Sequence, residues 1–267
     1  MLIEEKNSQG RSIISRARKK KKKILVSVIT VCRNSEKTIA KTIESVLHQS
    51  YSHLEYLIID GASTDRTMEI VKHYEPKFKG RLHWLSEKDA GIYHAMNKGI
   101  ALSNGEIIGI INSDDWYEPE SVQIAVSTIG NNDSVIAYGI LRFVKNGMEL
   151  MLRRNSHHYL QEFTIQHPAC FVHKKIYQTY GLFDTQYQCA ADYEFMLRLK
   201  LAHIEFIPIN NIIANFQMEG ISVKMSDKAY IETLHIRHKY HLIPKSEVYR
   251  NLIRVRMRNI LHLSKKV

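Results

Sequence analysis

The sequence is poor in the features that mark several large protein classes. No uninterrupted apolar run approaches the roughly 18 residues that span a bilayer, and no apolar stretch follows the N-terminal charges as in a secretory signal, so a cytoplasmic location is expected. Only three cysteines occur in 267 residues. Cys32, Cys170 and Cys189 are far apart and lack metal-ligand spacing, which argues against a disulfide framework or a zinc site and fits a reducing compartment. Neither G-x-G-x-x-G nor G-x-x-x-x-G-K follows an apolar run, which speaks against dinucleotide redox chemistry and P-loop ATP hydrolysis. Acidic residues are also in deficit, with 27 against 38 Lys and Arg, for a formal net charge of +11. A basic chain seeks anionic partners, but the excess sits at the two ends, in Arg16–Lys23 and from Tyr249 to Lys266. No nucleic-acid module is recognisable and the basic residues are not beside the central loops, so nucleic acid is not the expected partner.

What is present is a 44% hydrophobic chain able to bury a full core. Residues 1–23, which mix Ser, Gln and Gly with a run of like charge, read as a basic flexible arm. From Ile24 an α/β pattern begins. Ile24–Val31 is a β-branched apolar run suited to a strand buried on both faces, and Ile39, Ile43, Val46 and Leu47 then recur at helical spacing. The unit repeats with a strand at Leu54–Ile59, a turn at Asp60–Asp65, and a helical stripe of Met68, Ile70, Val71 and Tyr74. A strand near Leu82–Leu85, a helix over Ile92–Leu102 and a strand at Ile107–Ile111 lead into the acidic turn Asn112–Asp115. Past residue 135 the pattern predicts strands at Ser134–Phe143, Met148–Leu152 and Ala169–Val172, then a helix from Asp192 to Ala202. Alternating strands and helices imply a mostly parallel sheet covered on both faces, with ligands bound outside the carboxyl ends of its strands.

Several residues at those ends carry chemistry. Asp114 and Asp115 emerge together from a buried strand, where a divalent cation would relieve their repulsion and hold phosphate oxygens; a turn with capping aspartates is the other reading. Asp60 is in register to meet a nucleobase and Arg66 to approach phosphate, although Asp65 or Thr64 capping a helix explains the same segment. His167, before Pro168, stands at the mouth of the cleft, open to a phosphate or acceptor contact or to a structural role. Trp116 and Tyr93 offer either stacking surfaces for a sugar or core packing.

Four segments taken in order resemble the family-two glycosyltransferases of the bacterial envelope-polysaccharide branch. They are Val28–Asn34, Ile58–Asp65, Asp89–Gly99 (DAGIYHAMNKG) and Asn112–Trp116. The resemblance covers roughly residues 24–215 and implies a GT-A fold over that range, with 216–267 as a C-terminal basic helical extension. It further implies a nucleotide-diphosphate sugar donor, UDP by family habit, an Mn²⁺ or Mg²⁺ ion, and inversion at the anomeric carbon. By position, Thr30, Arg33 and Asn34 would border the nucleotide, Asp60 would meet the base, Asp89 would lie by the ribose or base, and Asp114 with Asp115 would hold the metal. Asn112 stands at the first acidic position of the family's D-x-D pattern. Asp192, in a segment resembling the family's acidic motif at a helix start, is the candidate base for the acceptor hydroxyl, with Glu194 second; both also suit a first helical turn. The stretch from Tyr249 to Val267 reads as a basic amphipathic helix that either lies on an anionic membrane surface or packs on the domain, the former suiting a lipid-linked acceptor. A nucleic-acid-binding protein and a catalytically silent sugar-binding homologue are the alternatives.

Overall fold

The computed structural model describes residues 2–6, 12–16, 23–218 and 226–263. Strands β1 (Leu2–Lys6) and β2 (Ser12–Arg16) pair antiparallel. This is secondary structure where the charge pattern predicts none, formed by short segments carrying Ile3, Ile13 and Ile14, whose branched side chains favour strands. Residues 17–22, most of the lysine run, lie outside the described residues.

The main body is a nine-stranded sheet. Its first half comprises β3 (Val26–Cys32), β4 (Leu54–Asp60), β5 (Leu82–Ser86), β6 (Ile107–Ile110) and the short β7 (Trp116–Tyr117). The second half adds β8 (Val135–Lys145), β9 (Met148–Arg153), β10 (Cys170–His173) and β11 (Glu205–Gln217). The order is β5-β4-β3-β6-β10-β8-β11-β7, with β9 paired outside β8. β3 runs parallel to β4 and β6, and β4 to β5, while β10 lies antiparallel between β6 and β8 and β11 runs parallel to β8.

Strand alternation decides which residues face which layer. Val26, Val28 and Cys32 of β3 pack with α1 (Ile39–Leu47), α2 (Thr67–Tyr74) and α4 (Ser121–Ile129) on one face. Ile29 and Val31 pack with α3 (Ile92–Leu102), α5 (Lys174–Tyr180) and α6 (Ala191–Leu201) on the other. Both faces of β3 and β4 are therefore closed, and each fully buried aliphatic side chain contributes about 1.5–3 kcal/mol. The C-terminal segment continues as α7 (Ser226–Lys239) and α8 (Lys245–Leu263). α7 rests on α6 through Ile236 against Ala190, Tyr193 and Leu197, and α8 runs beside α7. Among the described residues no helix is long and apolar enough to cross a membrane.

The approach of α3 to the sheet depends on Gly99, where a Cβ would stand 2.5 Å from Ile29 Cγ2 and 3.3 Å from Ile59 Cγ1. Ile29 is fully buried and has nowhere to retreat. Gly99→Ala gains up to about 1 kcal/mol of helix propensity but overpacks the core, a change costing about 1–3 kcal/mol. A net loss of stability in urea unfolding is expected, and a gain would show that α3 can slide off β3.

Candidate active site

The loops after β3, β4, β5 and β6 converge at the carboxyl edge of the parallel strands, and hydrogen bonds weld them. Asn34, with φ +53°, donates its amide to Ser63 Oγ at 2.7 Å and accepts the Thr64 amide at 2.9 Å, so the β3 and β4 loops lock together. Ser35 and Ser113 share a 2.8 Å hydroxyl contact that ties the β3 loop to the acidic turn. Arg33 is exposed and lies over Gly61, whose Cβ position would be 3.5 Å from the arginine side chain. Arg33 and Asn34 both stand at the carboxyl end of β3.

The other nucleotide-side candidates divide. Asp60 is fully buried, and its oxygens accept from the Ser63 amide at 3.0 Å, the Ser63 hydroxyl, Ser86 Oγ at 2.6 Å and Cys32 Sγ at 3.6 Å. A nucleobase N–H could reach it only by displacing one of these donors, so the carboxylate holds the loop together. Thr30 is turned away altogether. It shares strand parity with Val28 and Cys32, is buried in the α1–α2 layer, and accepts a 2.9 Å hydrogen bond from Tyr56; the expectation that its side chain borders the nucleotide is corrected. Arg66, just before α2, is 76% exposed and pairs its side chain with Glu69 at 3.1 Å, while its amide donates to Glu36 of the β3 loop at 3.1 Å. Asp89 is better placed. Its Oδ1 meets Lys98 Nζ at 2.6 Å and His94 Nδ1 at 3.2 Å, while its buried Oδ2 has no partner. That leaves an oriented acceptor beside Ala90 and Gly91, which line the large cavity described below.

The acidic turn splits its two aspartates. Asp115 is fully buried, with Oδ1 accepting the Gln217 amide at 3.0 Å from the end of β11 and Oδ2 accepting Asn112 Nδ2 at 3.2 Å. Its backbone carbonyl takes the Thr42 hydroxyl at 2.6 Å. Burial, with Asp114 beside it, pushes the Asp115 carboxyl well above the ordinary range. Asp114 is only partly covered and burial raises it as well. Asn112 Oδ1 is buried without a partner, and Asn112 lines the cavity. Among the described residues no group of three or more His, Cys, Asp or Glu is arranged to hold a metal. The fit to a divalent cation is therefore Asp114 with the Asn112 carbonyl oxygen, two hard oxygens that leave most of the coordination shell to phosphate and water. Asp115, expected as a second ligand, is instead the tie between this turn and β11.

A cavity of about 630 Å³ opens from Asn112 toward the second half of the chain. Asp192, in the first turn of α6, faces it together with His167 and Tyr93. Asp192 Oδ1 accepts the Tyr93 hydroxyl at 2.9 Å, and Oδ2 stands 3.3 Å from His167 Nδ1. Burial pushes the Asp192 carboxyl up, but the His167 and Tyr93 contacts and the Tyr193 amide outweigh it and hold the group below the ordinary carboxylate value. Gly91, at φ +144°, begins α3 and lets its backbone form one wall.

Glu194 does not share this role. It is buried, tied to Arg198 at 3.1 Å and to the Tyr240 hydroxyl at 2.5 Å, and faces α7 rather than the cavity. Residues i and i+2 of a helix lie on nearly opposite sides, so only one of Asp192 and Glu194 can face the cleft. Trp116 carries Lys41 Nζ 3.0 Å above its ring and is absent from the cavity wall. One residue that the sequence did not announce is Glu232 of α7. Its carboxylate accepts the amides of Gln188, Cys189 and Ala190 at 3.0, 2.8 and 3.0 Å, fixing the loop that delivers Asp192.

Because the folded-state pKa of Asp115 is raised, its contribution to stability is fully present below the ordinary carboxylate value of about 3.9 and is lost as pH rises through the folded value. In Asp115→Asn the new amide can still accept from Gln217 and can donate to Asn112 Oδ1 once that side chain turns over. In EDTA the variant should therefore show a flatter pH dependence above about pH 4 and at least wild-type stability at pH 7 in urea unfolding. A loss beyond about 2 kcal/mol, the scale of an unmade buried hydrogen bond, would mean that the charge itself holds the turn.

Comparison with known proteins fits this geometry. Residues 27–192 match the family described as Glycosyl transferase family 2. An uncharacterised glycosyltransferase of Mycobacterium tuberculosis is 30% identical over 231 residues, covering 80% of this chain and 86% of that protein. A PGL/p-HBAD biosynthesis glycosyltransferase of Mycobacterium bovis is 26% identical, covering 79% and 84%. Among solved structures, the mannosyltransferase PcManGT of Pyrobaculum calidifontis, in complex with GDP-Man and Mn²⁺, superposes with a TM-score of 0.66 at 17% identity over 84% of this chain and 66% of its own. S. aureus TarS 1-349 in complex with UDP-GlcNAc gives 0.63 at 18% identity over 84% and 69%, and the chain spans 41% of the longer TarS structure. The architecture is the GT-A fold, and the chain belongs to glycosyl transferase family 2 as a nucleotide-sugar-dependent glycosyltransferase.

Proposed function

We propose that the protein transfers a sugar from a UDP-linked donor, with inversion at the anomeric carbon, to a hydroxyl of a lipid-linked or polysaccharide acceptor in cell-envelope glycan synthesis. The observation that carries this reading is one cavity bordered by Asn112 of the acidic turn and by the Asp192 cluster. Direct displacement needs a base on the face of the sugar opposite the leaving diphosphate, and these two groups come from opposite halves of the chain. Arg33, Asn34 and Asp89 would hold the nucleotide, and Asp114 with Asn112 would hold a divalent cation. When bound, that ion supplies positive charge to the diphosphate as it leaves. UDP as carrier draws support from TarS, solved with UDP and UDP-GlcNAc. An envelope acceptor draws support from the relative named for PGL/p-HBAD biosynthesis.

The C-terminal helix fits work at the inner face of a membrane. Val248 and Val255 are buried, whereas Tyr249, Ile253 and Met257 stand 56%, 58% and 58% exposed at i, i+4 and i+8. Arg250 and Arg254 follow at the same interval, and Arg258, one turn on, pairs with Asp227 of α7. An apolar stripe beside a basic row suits an anionic lipid surface, each nearby Arg adding about 1 kcal/mol.

Two outcomes test the reading. Thermal unfolding with UDP-Glc, UDP-Gal, UDP-GlcNAc and GDP-Man should show Mn²⁺-dependent stabilisation by one of the UDP-sugars, about 2.7 kcal/mol at a hundredfold excess over Kd, and a response to GDP-Man alone overturns UDP as the carrier. EDTA should abolish both that shift and nucleoside-diphosphate release; survival of both in EDTA rules out the ion. Asp192→Asn should keep the donor-induced shift and lose transfer by about 10²–10⁴-fold, whereas near-full turnover removes Asp192 from catalysis.

A further inference from the structure

Arg153, at the end of β9, is the one lysine or arginine among the described residues that line the cavity. It lies on an apolar wall. In the β8–β9 register Arg153 is opposite Leu141 and Met151 is opposite Phe143, while Phe143 is also opposite Phe216 of β11, with their rings 5.3 Å apart. Directly opposed residues share a face of the sheet, and the guanidinium rests 5.1 Å from the centre of the Phe143 ring. The neighbouring arginines are occupied. Arg142 donates to Glu118 at 2.7 Å and to Asn215 at 3.0 Å, and Arg154 donates to the Ile209 carbonyl at 2.9 Å and to Asn210. Arg153 is exposed, and among the described residues its one hydrogen bond goes to Met151 Sδ at 3.3 Å, a weak acceptor. Most of its donors are left over, in the planar fork that matches a phosphate.

Outward from the cavity the surface stays apolar. Among the described residues β9 pairs with β8 alone, and its Met148, Leu150, Met151 and Leu152 are all exposed. At another border Ala229 of α7 lines the cavity, and α7 runs beside α8 with its own exposed apolar stripe. A contiguous apolar surface beside a binding cleft marks contact with an apolar partner. A polysaccharide, hydroxylated throughout, offers nothing to such a strip, whereas a lipid phosphate brings both an anion for the arginine and hydrocarbon for the strand. We infer that Arg153 binds the phosphate of a lipid phosphate or diphosphate that carries the acceptor sugar, and that the hydrocarbon leaves along Phe143, Met151 and the β9 edge. This rests on the transferase reading and narrows its acceptor to a lipid-linked one. The anion anchors the acceptor at one wall while its sugar hydroxyl reaches Asp192 across the same cavity.

Calorimetric titration of the full chain with dodecyl phosphate, kept below its micelle concentration, tests this without a donor. Inorganic phosphate and the neutral dodecyl maltoside supply the anion and the chain separately. Dodecyl phosphate should bind at least about tenfold more tightly than either, and Arg153→Gln should weaken it about 10–100-fold, the loss of a charge-assisted pair. Because Arg153 is exposed, the variant should fold as the wild type does and keep its Mn²⁺-dependent thermal shift with UDP. Undiminished binding in Arg153→Gln places the anion elsewhere, on α8 for example, and overturns the proposal. So does equal binding of inorganic phosphate, which removes the lipid, or of dodecyl maltoside, which removes the anion. A UDP shift lost in Arg153→Gln assigns the guanidinium to the donor and overturns it as well. Should no donor tried yield nucleoside diphosphate, the transferase reading fails while the titration still decides the Arg153 site. Should transfer proceed while dodecyl phosphate ignores Arg153, the acceptor site alone falls.

Discussion

A fully buried carboxylate, Asp115, joins the acidic turn after β6 to the far end of β11 through the Gln217 amide, and the rest of the cleft depends on that bond. The turn follows a parallel strand of the first half, and β11 is the long strand of the second. Without the tie, nothing in the β6 strand itself would fix the direction of Asn112 or Asp114. With it, Asn112 is held by its amide and its carbonyl oxygen is left over, next to the cavity that the second half encloses. Burying a carboxyl is unfavourable in itself, and the raised pKa of Asp115 measures that cost. The structure tolerates it because one side chain satisfies two donors, Asn112 and Gln217, from segments about a hundred residues apart in sequence.

The two ends of the cleft are built on different physical terms. The nucleotide side is a set of strand-to-helix loops welded by short polar side chains, with backbone at Asn34 and Ala62 in the left-handed region at φ +53° and +56°. Asp60 serves that weld with both oxygens, while Arg33 is exposed above it and one oxygen of Asp89 stands outside it without a partner. The other side is the Asp192–His167 contact set in a largely apolar wall that includes Leu141, Phe143 and Phe216. Low polarity there strengthens the contact of Asp192 with His167.

Much of the first half was legible because its signals are local. The predicted helix at Ile92–Leu102 matches α3 residue for residue, and the apolar runs became β3, β4 and β6 within two residues at each end. The misreadings share a cause. The motif places Thr30 by the nucleotide, whereas simple alternation from Val28 to Cys32 turns its side chain into the helix layer. Glu194 likewise follows from helix geometry once Asp192 is set to face the cleft. Asp115 could not be told from Asp114 by sequence, because what separates them is Gln217, and no local pattern announces a partner so far away. The His167–Asp192 pair was hidden for the same reason, since each residue alone looked like an ordinary turn or cap.

The grip of Glu232 on three successive amides crosses the boundary that composition suggests near residue 215. A chain ended after β11 would keep every strand of the sheet and every nucleotide-side loop. It would nonetheless leave those amides to water, and the entropy then released in the loop would be taken from the precision with which α6 presents its first turn. The sugar-nucleotide fold and the helical tail are in that sense one machine with a seam in its sequence and none in its mechanics.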